Sequence, residues 1–444
     1  MSTGDASGIP PARRLRITAW ERYMAYDQGP RHTMTVFSRF WLSRPVERAE
    51  FVAAVARVAR DNPLLAARPQ GGSWLPLPFD PEVQIDWDEA DEPVSLRHLS
   101  PDDMLVRWTV RVGTLGELGL ATAEIAEEGL TDSRGTLVVL RFPHAISDAL
   151  GAVALMRQVC AILAGRPVPP PSRGDLDGRH TLRDSSTTWR RVLPQQVKRV
   201  ALCFSRRPAE FAPDRLLTPA APLADVACER VVASGAETAG LRAGARAAGV
   251  SLNDLLLTAL YRALAPHMDP RDVIRIAVPV SLRGAGNAAF CNQVSMVFLD
   301  RASGRTPDAT LLRGVSAEMT HIKQLKLGRA MHIVLGLLHR AGSGLLWGTT
   351  RLPLIWATAV LSNLGDALAA DDGRADGVRI VAHDALPPLR PGTSLALLAS
   401  GHGGRLGLTL RFAPDRVSRE RAATILGQLL AEAATLANRK TPTG

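Results

Sequence analysis

The chain has 444 residues, of which 46% are hydrophobic, 22% charged and 5% aromatic. A single hydrophobic core stops growing near about 250–300 residues, so two lobes are expected, and the apolar content excludes wholesale disorder and collagen-like repeats. The net charge of +10 rests on 53 basic residues, all Arg except Lys198, Lys323, Lys326 and Lys440; they form no run or stripe of the kind that marks a nucleic-acid binder, so no nucleic-acid partner is expected.

Residues 1–14 (MSTGDASGIPPARR) are small, polar and Pro-bearing, which predicts a flexible tail without the apolar core of a signal peptide. Met34–Leu42 is rich in β-branched and aromatic residues and predicts a strand; Pro45 then opens a predicted helix to about Arg60, with Phe51, Val52, Val55 and Val58 at helical spacing. Thr136–Phe142 is a short apolar run, the pattern of a strand buried on both faces, and a helix is predicted from Asp148 to about Leu163. The composition shifts from Gly165 to Pro222, where Pro-rich segments flank a basic amphipathic stretch, Trp189–Phe204; this region is expected to cross between lobes. In the second half, Ser251 and Asp254 form a capping box ahead of an apolar helix, Leu252–Leu264. Strands are predicted at Val273–Val280, Val294–Leu299, Ala357–Leu361 and Val378–His383, and helices at Asp308–Lys326 and Arg416–Asn438. Leu395–Leu398 and Leu406–Arg411 flank Gly401-His402-Gly403-Gly404, the pattern of a hairpin. The result is an α/β (α+β) chain with a tail at 1–14, an N-terminal lobe at 15–170, a linker at 171–222 and a C-terminal lobe at 223–444.

The four cysteines (Cys160, Cys203, Cys228, Cys291) form no C-x-x-C pair and are expected to be small buried residues in a reducing compartment. The most hydrophobic stretch, Leu345–Leu364, is interrupted by Arg351, Pro353 and Asn363 and falls short of the ~20 apolar residues of a membrane helix. No membrane span is expected, and the protein is placed in the cytoplasm. The histidines lack metal-ligand spacing, so no metal is assigned. Asp371–Gly377 lacks the carboxylate spacing of a calcium loop and predicts a solvated turn.

The segment that carries chemistry is Leu140–Gly151, LRFPHAISDALG. His144 leaves the end of a buried strand, where a side chain reaches a cleft while its backbone stays fixed; an imidazole there suits general-base work. Alternatively, Asp148 is an N-cap and His144 a hydrogen-bonded loop residue.

The H-x-x-x-D pattern of His144 and Asp148, a third of the way along the chain, resembles that of the condensation-domain superfamily, which includes peptide-synthetase condensation domains and thioester-dependent acyltransferases. Asp61-Asn62-Pro63-Leu64-Leu65 is similar to the family's H-P-x-L-R turn, Val278–Arg283 to its V-P-V-x-x-R strand, Gly286-Asn287 to Val294 to the continuation of that strand, and Leu361–Gly365 to an S-N-x-G segment. Pro143 and Ala149 depart from the full H-H-x-x-x-D-G motif; loss of the first His leans toward the acyltransferase branches. The resemblance implies two chloramphenicol-acetyltransferase-like lobes, each a mixed sheet flanked by helices, with a tunnel at their interface. It implies transfer of an acyl group from acyl-CoA or an acyl-carrier protein to a small-molecule alcohol or, less favoured, an amine, in natural-product or lipid biosynthesis. His144 would be the base, Asp148 and Arg283 a structural pair, and Ser362 and Asn363 candidates for lining the tunnel or holding the oxyanion. The thioester is then a co-substrate, with no tightly bound cofactor, and the protein is expected to be a monomer. Two other readings stay open: a catalytically silent condensation-like module that binds a carrier protein, and a serine hydrolase with His144 in a triad.

Overall fold

The computed structural model describes residues 14–439, apart from 29–31, 90–93, 95, 101, 131–133, 173–174, 177–178, 181–193, 195–204, 213–225, 305, 352–356 and 369–376. The expectations for the tail to residue 13, Trp189–Phe204, Cys203 and Asp371–Asp376 lie outside the described residues.

The first lobe contains strands β1 (Leu15–Arg16), β2 (Thr35–Leu42), β3 (Ala67–Gln70), β4 (Ser73–Pro76), β5 (Ile85–Trp87), β6 (Arg107–Thr114) and β7 (Arg134–Pro143). Its helices are α1 (Ala19–Tyr26), α2 (Arg48–Asp61), α3 (Pro81–Gln84), α4 (Thr122–Glu127) and α5 (Ala149–Leu163). The second half adds β8 (Ala227–Ala233), β9 (Val273–Ser281), β10 (Val294–Ala302), β11 (Ala359–Asn363), β12 (Ile380–Leu386), β13 (Leu395–His402) and β14 (Arg405–Phe412). Its helices are α6 (Gly235–Ala247), α7 (Leu252–Leu264), α8 (Asp308–Gln324), α9 (Gly328–Ala341), α10 (Ser343–Arg351) and α11 (Arg419–Asn438).

Two mixed sheets form the lobes, as expected. The first has the order β12-β2-β7-β6-β5 and the second β10-β9-β11-β13-β14-β8, while β1, β4 and β3 form a small separate sheet. Period-2 alternation explains β2: Val36, Phe40 and Leu42 enter one core with α2 and α5, while Phe37 and Trp41 enter another on the opposite face. Helices α6, α7, α8 and α11 cover one face of the second sheet. The Ser251–Asp254 capping box is present, and Asp254, like the apolar face of α7, is buried.

Several boundaries differ from the sequence expectation. The helix after Pro45 begins only at Arg48, because the Thr136 hydroxyl accepts from Val46 N (3.0 Å) and donates to Arg44 O (3.0 Å), holding this stretch extended along β7. The helix expected from Arg416 begins at Arg419, with Ser418 as its cap. The helix expected to reach Lys326 ends at Gln324, and Lys326 at φ 51° turns the chain into the α9–α10 hairpin, which the sequence did not predict. The hairpin turn near residue 402 is only Gly403-Gly404, both at positive φ (54° and 79°), while Gly401 and His402 belong to β13. Although it lies in the C-terminal half, β12 pairs antiparallel with β2 of the first sheet. Cys160 and Cys291 are buried and Cys228 half-buried, all three as free thiols.

Candidate active site

β7 ends at Pro143, paired with Thr35, and α5 begins at Ala149. The connection is pinned at both ends: His144 N donates to Met34 O (2.7 Å), and Ala145 and Ile146 are buried in the first core. The backbone that carries the His144 ring is therefore fixed on both sides. The ring Nδ1 lies 3.0 Å from Ser147 O, and a carbonyl only accepts, so the ring proton sits on Nδ1 and Nε2 carries the lone pair. Nε2 makes no hydrogen bond among the described residues. Burial lowers the His144 pKa from its usual 6.5, outweighing the backbone carbonyl and the Asp148 charge, so the ring is neutral at pH 7.

Asp148 does not reach the imidazole. Its Oδ1 accepts from Gly151 N (2.8 Å), capping α5, and from Arg283 Nη2 (2.9 Å); its Oδ2 accepts from Gln293 N (2.8 Å). Arg283 also donates to Ala289 O (2.9 Å), Asn287 Oδ1 (3.4 Å) and Cys291 O. Asp148 is thus an N-cap and an ion-pair partner at once, and the pair joins the lobes: Asp148 starts α5, and Arg283 follows β9. The contact is close because residue 151 is glycine; a Cβ there would lie 2.4 Å from Ser147 Oγ and 2.7 Å from Arg283 Nη2. Ala149, where the full motif has Gly, is simply the first residue of α5.

The loop from Arg283 to Gln293 supplies residues to which sequence reasoning gave no role. Asn292 Nδ2 donates to His144 O, so the loop from one lobe positions the histidine of the other. Phe290 inserts into the first core, edge-on to Phe142 at 5.5 Å. Asn62, from the Asp61–Leu65 turn, accepts from Phe290 N (3.3 Å) and donates to Gln158 Oε1 (3.0 Å); Gln158 donates to Ala288 O (2.9 Å). The signal for these residues was the pair of Asn-bearing motifs, but motif resemblance does not state who bonds to whom.

A cleft of about 600 Å³, open to solvent, lies between the lobes. Val36, His144, Asp148, Ala149 and Leu150 line it from the first lobe, Pro279, Ser281, Val294 and Leu398 from the second, and Ala385 and Pro387 from the crossing strand and its end. Ser362 and Asn363 line the same cleft, so the structure brings together His144, Asp148, Ser362 and Asn363, with Arg283 behind Asp148. The Asn363 side-chain oxygen accepts from Gly365 N (2.8 Å), which leaves its amide NH2 as the free donor. A serine-hydrolase triad is not assembled among the described residues: Ser147 Oγ points to Cys291 O and Asp148 O, and Nδ1 of His144 meets a carbonyl where a triad needs a carboxylate. Burial pushes the Cys291 thiol up to about 11, so it stays protonated and is no nucleophile.

The two-lobe α/β arrangement is shared with solved condensation domains. The first condensation domain of the CDA synthetase superposes with a TM-score of 0.61, at 17% identity over 98% of each chain. Polyketide synthase associated protein 5 from Mycobacterium tuberculosis also gives 0.61, at 16% identity over 96% of this chain and 99% of that one. The chain therefore has the condensation-domain fold, with its two chloramphenicol-acetyltransferase-like lobes. In sequence it is similar to an M. tuberculosis protein provisionally named a diacylglycerol O-acyltransferase, 25% identical over 329 residues. That match covers 66% of this chain and spans 64% of the relative's length. No protein-family model matches the chain.

Proposed function

We propose that the protein is an acyltransferase that moves an acyl group from a thioester to an alcohol or, second, an amine. The observation that carries the reading is the neutral His144, with Nδ1 bonded to Ser147 O and an unpartnered Nε2, in a largely apolar cleft between the lobes. Nε2 takes the proton from the acceptor hydroxyl as its oxygen attacks the thioester carbonyl. The C–S bond then breaks, the imidazolium returns the proton to the departing sulfur, and the products are an ester and a free thiol without a covalent acyl-enzyme. Ser362 and the Asn363 amide are the nearby donors for the transient oxyanion. Acyl-CoA or a phosphopantetheinyl carrier would supply the thioester, and binding both reactants in one cleft lowers the entropic part of the barrier. Sequence similarity to a protein named for diacylglycerol acylation supports ester formation and an acceptor of lipid type.

The test is product analysis. The protein is incubated with acyl-CoA and acyl-carrier donors of several chain lengths and with alcohol and amine acceptors, and products are read by mass spectrometry. The expected result is an ester with one thiol released per ester and no acylated protein. Carrier binding without transfer from any donor would instead establish the silent-module reading, for which Pro143 and Ala149 are the motivating departures.

A further inference from the structure

We propose that the α9–α10 hairpin is a docking surface for an anionic lipid bilayer. Among the described residues the exposed large hydrophobic side chains are Val83, Leu337, Leu345 and Trp347, and the last three fall within eleven residues of chain on this hairpin. Leu345 and Trp347 are 55% and 49% exposed. α10 buries only Leu346, so its remaining apolar side chains have no core to enter. Single exposed hydrophobics need no explanation, but a cluster with an indole does.

The charge around the cluster is of one sign. From residue 319 to residue 365 the sequence contains no Asp or Glu, and it contains Lys323, Lys326, Arg329, Arg340 and Arg351. All but Arg329 are exposed, and none of the five pairs with a carboxylate among the described residues. Several arginines elsewhere are neutralised, as in Arg39–Asp384, Arg230–Glu124 and Arg301–Glu318. Arg351 instead stands over the Trp347 ring at 5.2 Å. The half-buried His339 is lowered by burial and then by the charges of Arg22 and Arg16, which extend the same positive field.

Exposed Trp and Leu within a cationic fringe are what a water–bilayer boundary takes up: the apolar groups enter the acyl layer, the indole sits at headgroup level, and the cations meet anionic lipid. An acidic protein would answer the charge but would also need a pocket shaped for the indole and leucines; a bilayer needs none. No described helix is long and apolar enough to cross a membrane, so this is docking at the surface. The opposite face of α9 is anchored to the site: His332 stacks on Trp20 at 5.0 Å and donates to the carbonyl of Val294 (3.0 Å), a residue of the cleft wall. Docking would thus place the cleft beside a lipid reservoir. The inference rests on exposure and charge, and stands or falls independently of the role of His144.

Co-sedimentation with phosphatidylcholine vesicles, with and without phosphatidylglycerol, tests it. The full chain should bind the phosphatidylglycerol vesicles, less so in high salt. L345S/W347S and R340E/R351E, each melting like the parent, should bind roughly tenfold more weakly while keeping transfer from a soluble short-chain thioester. Equal vesicle binding by parent and variants, or none by the parent, would overturn the proposal. So would the same variants losing only self-association, or only binding to an acyl carrier protein.

Discussion

At the scale of single residues, the proposed base is Nε2 of a histidine whose other nitrogen is committed to a backbone carbonyl. Burial lowers its pKa below 6.5, so the base form persists into mildly acidic solution. The acid limb of the pH–kcat/KM profile should lie below pH 6.5; a limb above it would place another group in the role. The same shift has a stability consequence. A histidine kept neutral by folding binds fewer protons folded than unfolded, so its contribution is complete above 6.5 and is lost as pH falls through the folded value. His332 and His383, pushed down by burial to about 4, act in the same sense. Stability followed by urea melts should therefore decline between about pH 6.5 and 4. Gly151 is a second residue-scale test. Its Cβ position is occupied by Ser147 Oγ and the Arg283 guanidinium, so Gly151→Ala should destabilise by about 1–3 kcal/mol despite alanine's better helix propensity. A variant as stable as the parent would show that the guanidinium can move aside.

At the scale of elements, the loop between β9 and β10 is a latch. It carries Arg283 to Asp148, Asn292 to the His144 carbonyl and Phe290 into the first core. Arg283→Ala leaves a buried carboxylate without its partner and should cost about 3–5 kcal/mol together with lost rate, whereas Arg283→Lys should fall between. Phe290→Ala, in a position with no exposure, should cost about 3–5 kcal/mol. Thermal melts with parallel activity assays check both, and parent-like melting would deny the latch. This element also shows what sequence can carry. The strand of Thr136–Phe142, the helix capped by Asp148 and the Ser251 box were legible because their signals are local: an apolar run and a cap with its donors three residues away. The Asp148–Arg283 pairing was reachable only through family resemblance. The insertion of Phe290 and the return of β12 to the first sheet were not legible, because each is a contact between segments hundreds of residues apart with no periodicity to announce it. The start of α2 was misplaced for a similar reason, since Thr136 on another strand decides it.

At the scale of the whole molecule, the latch and β12 both join the lobes, and the cleft is lined from both sides of that junction. Part of the arginine excess ties this frame together: Arg39–Asp384, Arg390–Asp27 and Arg405–Glu128 join segments distant in sequence. Fold alone does not determine chemistry, so the central claim rests on the histidine between the lobes. The most direct measurement is the single-turnover rate of acyl transfer by His144→Ala against the parent, at equal folded fraction and with saturating thioester and acceptor. The account predicts a rate about 10²–10⁴-fold lower with the thioester still bound; an unchanged rate would contradict it.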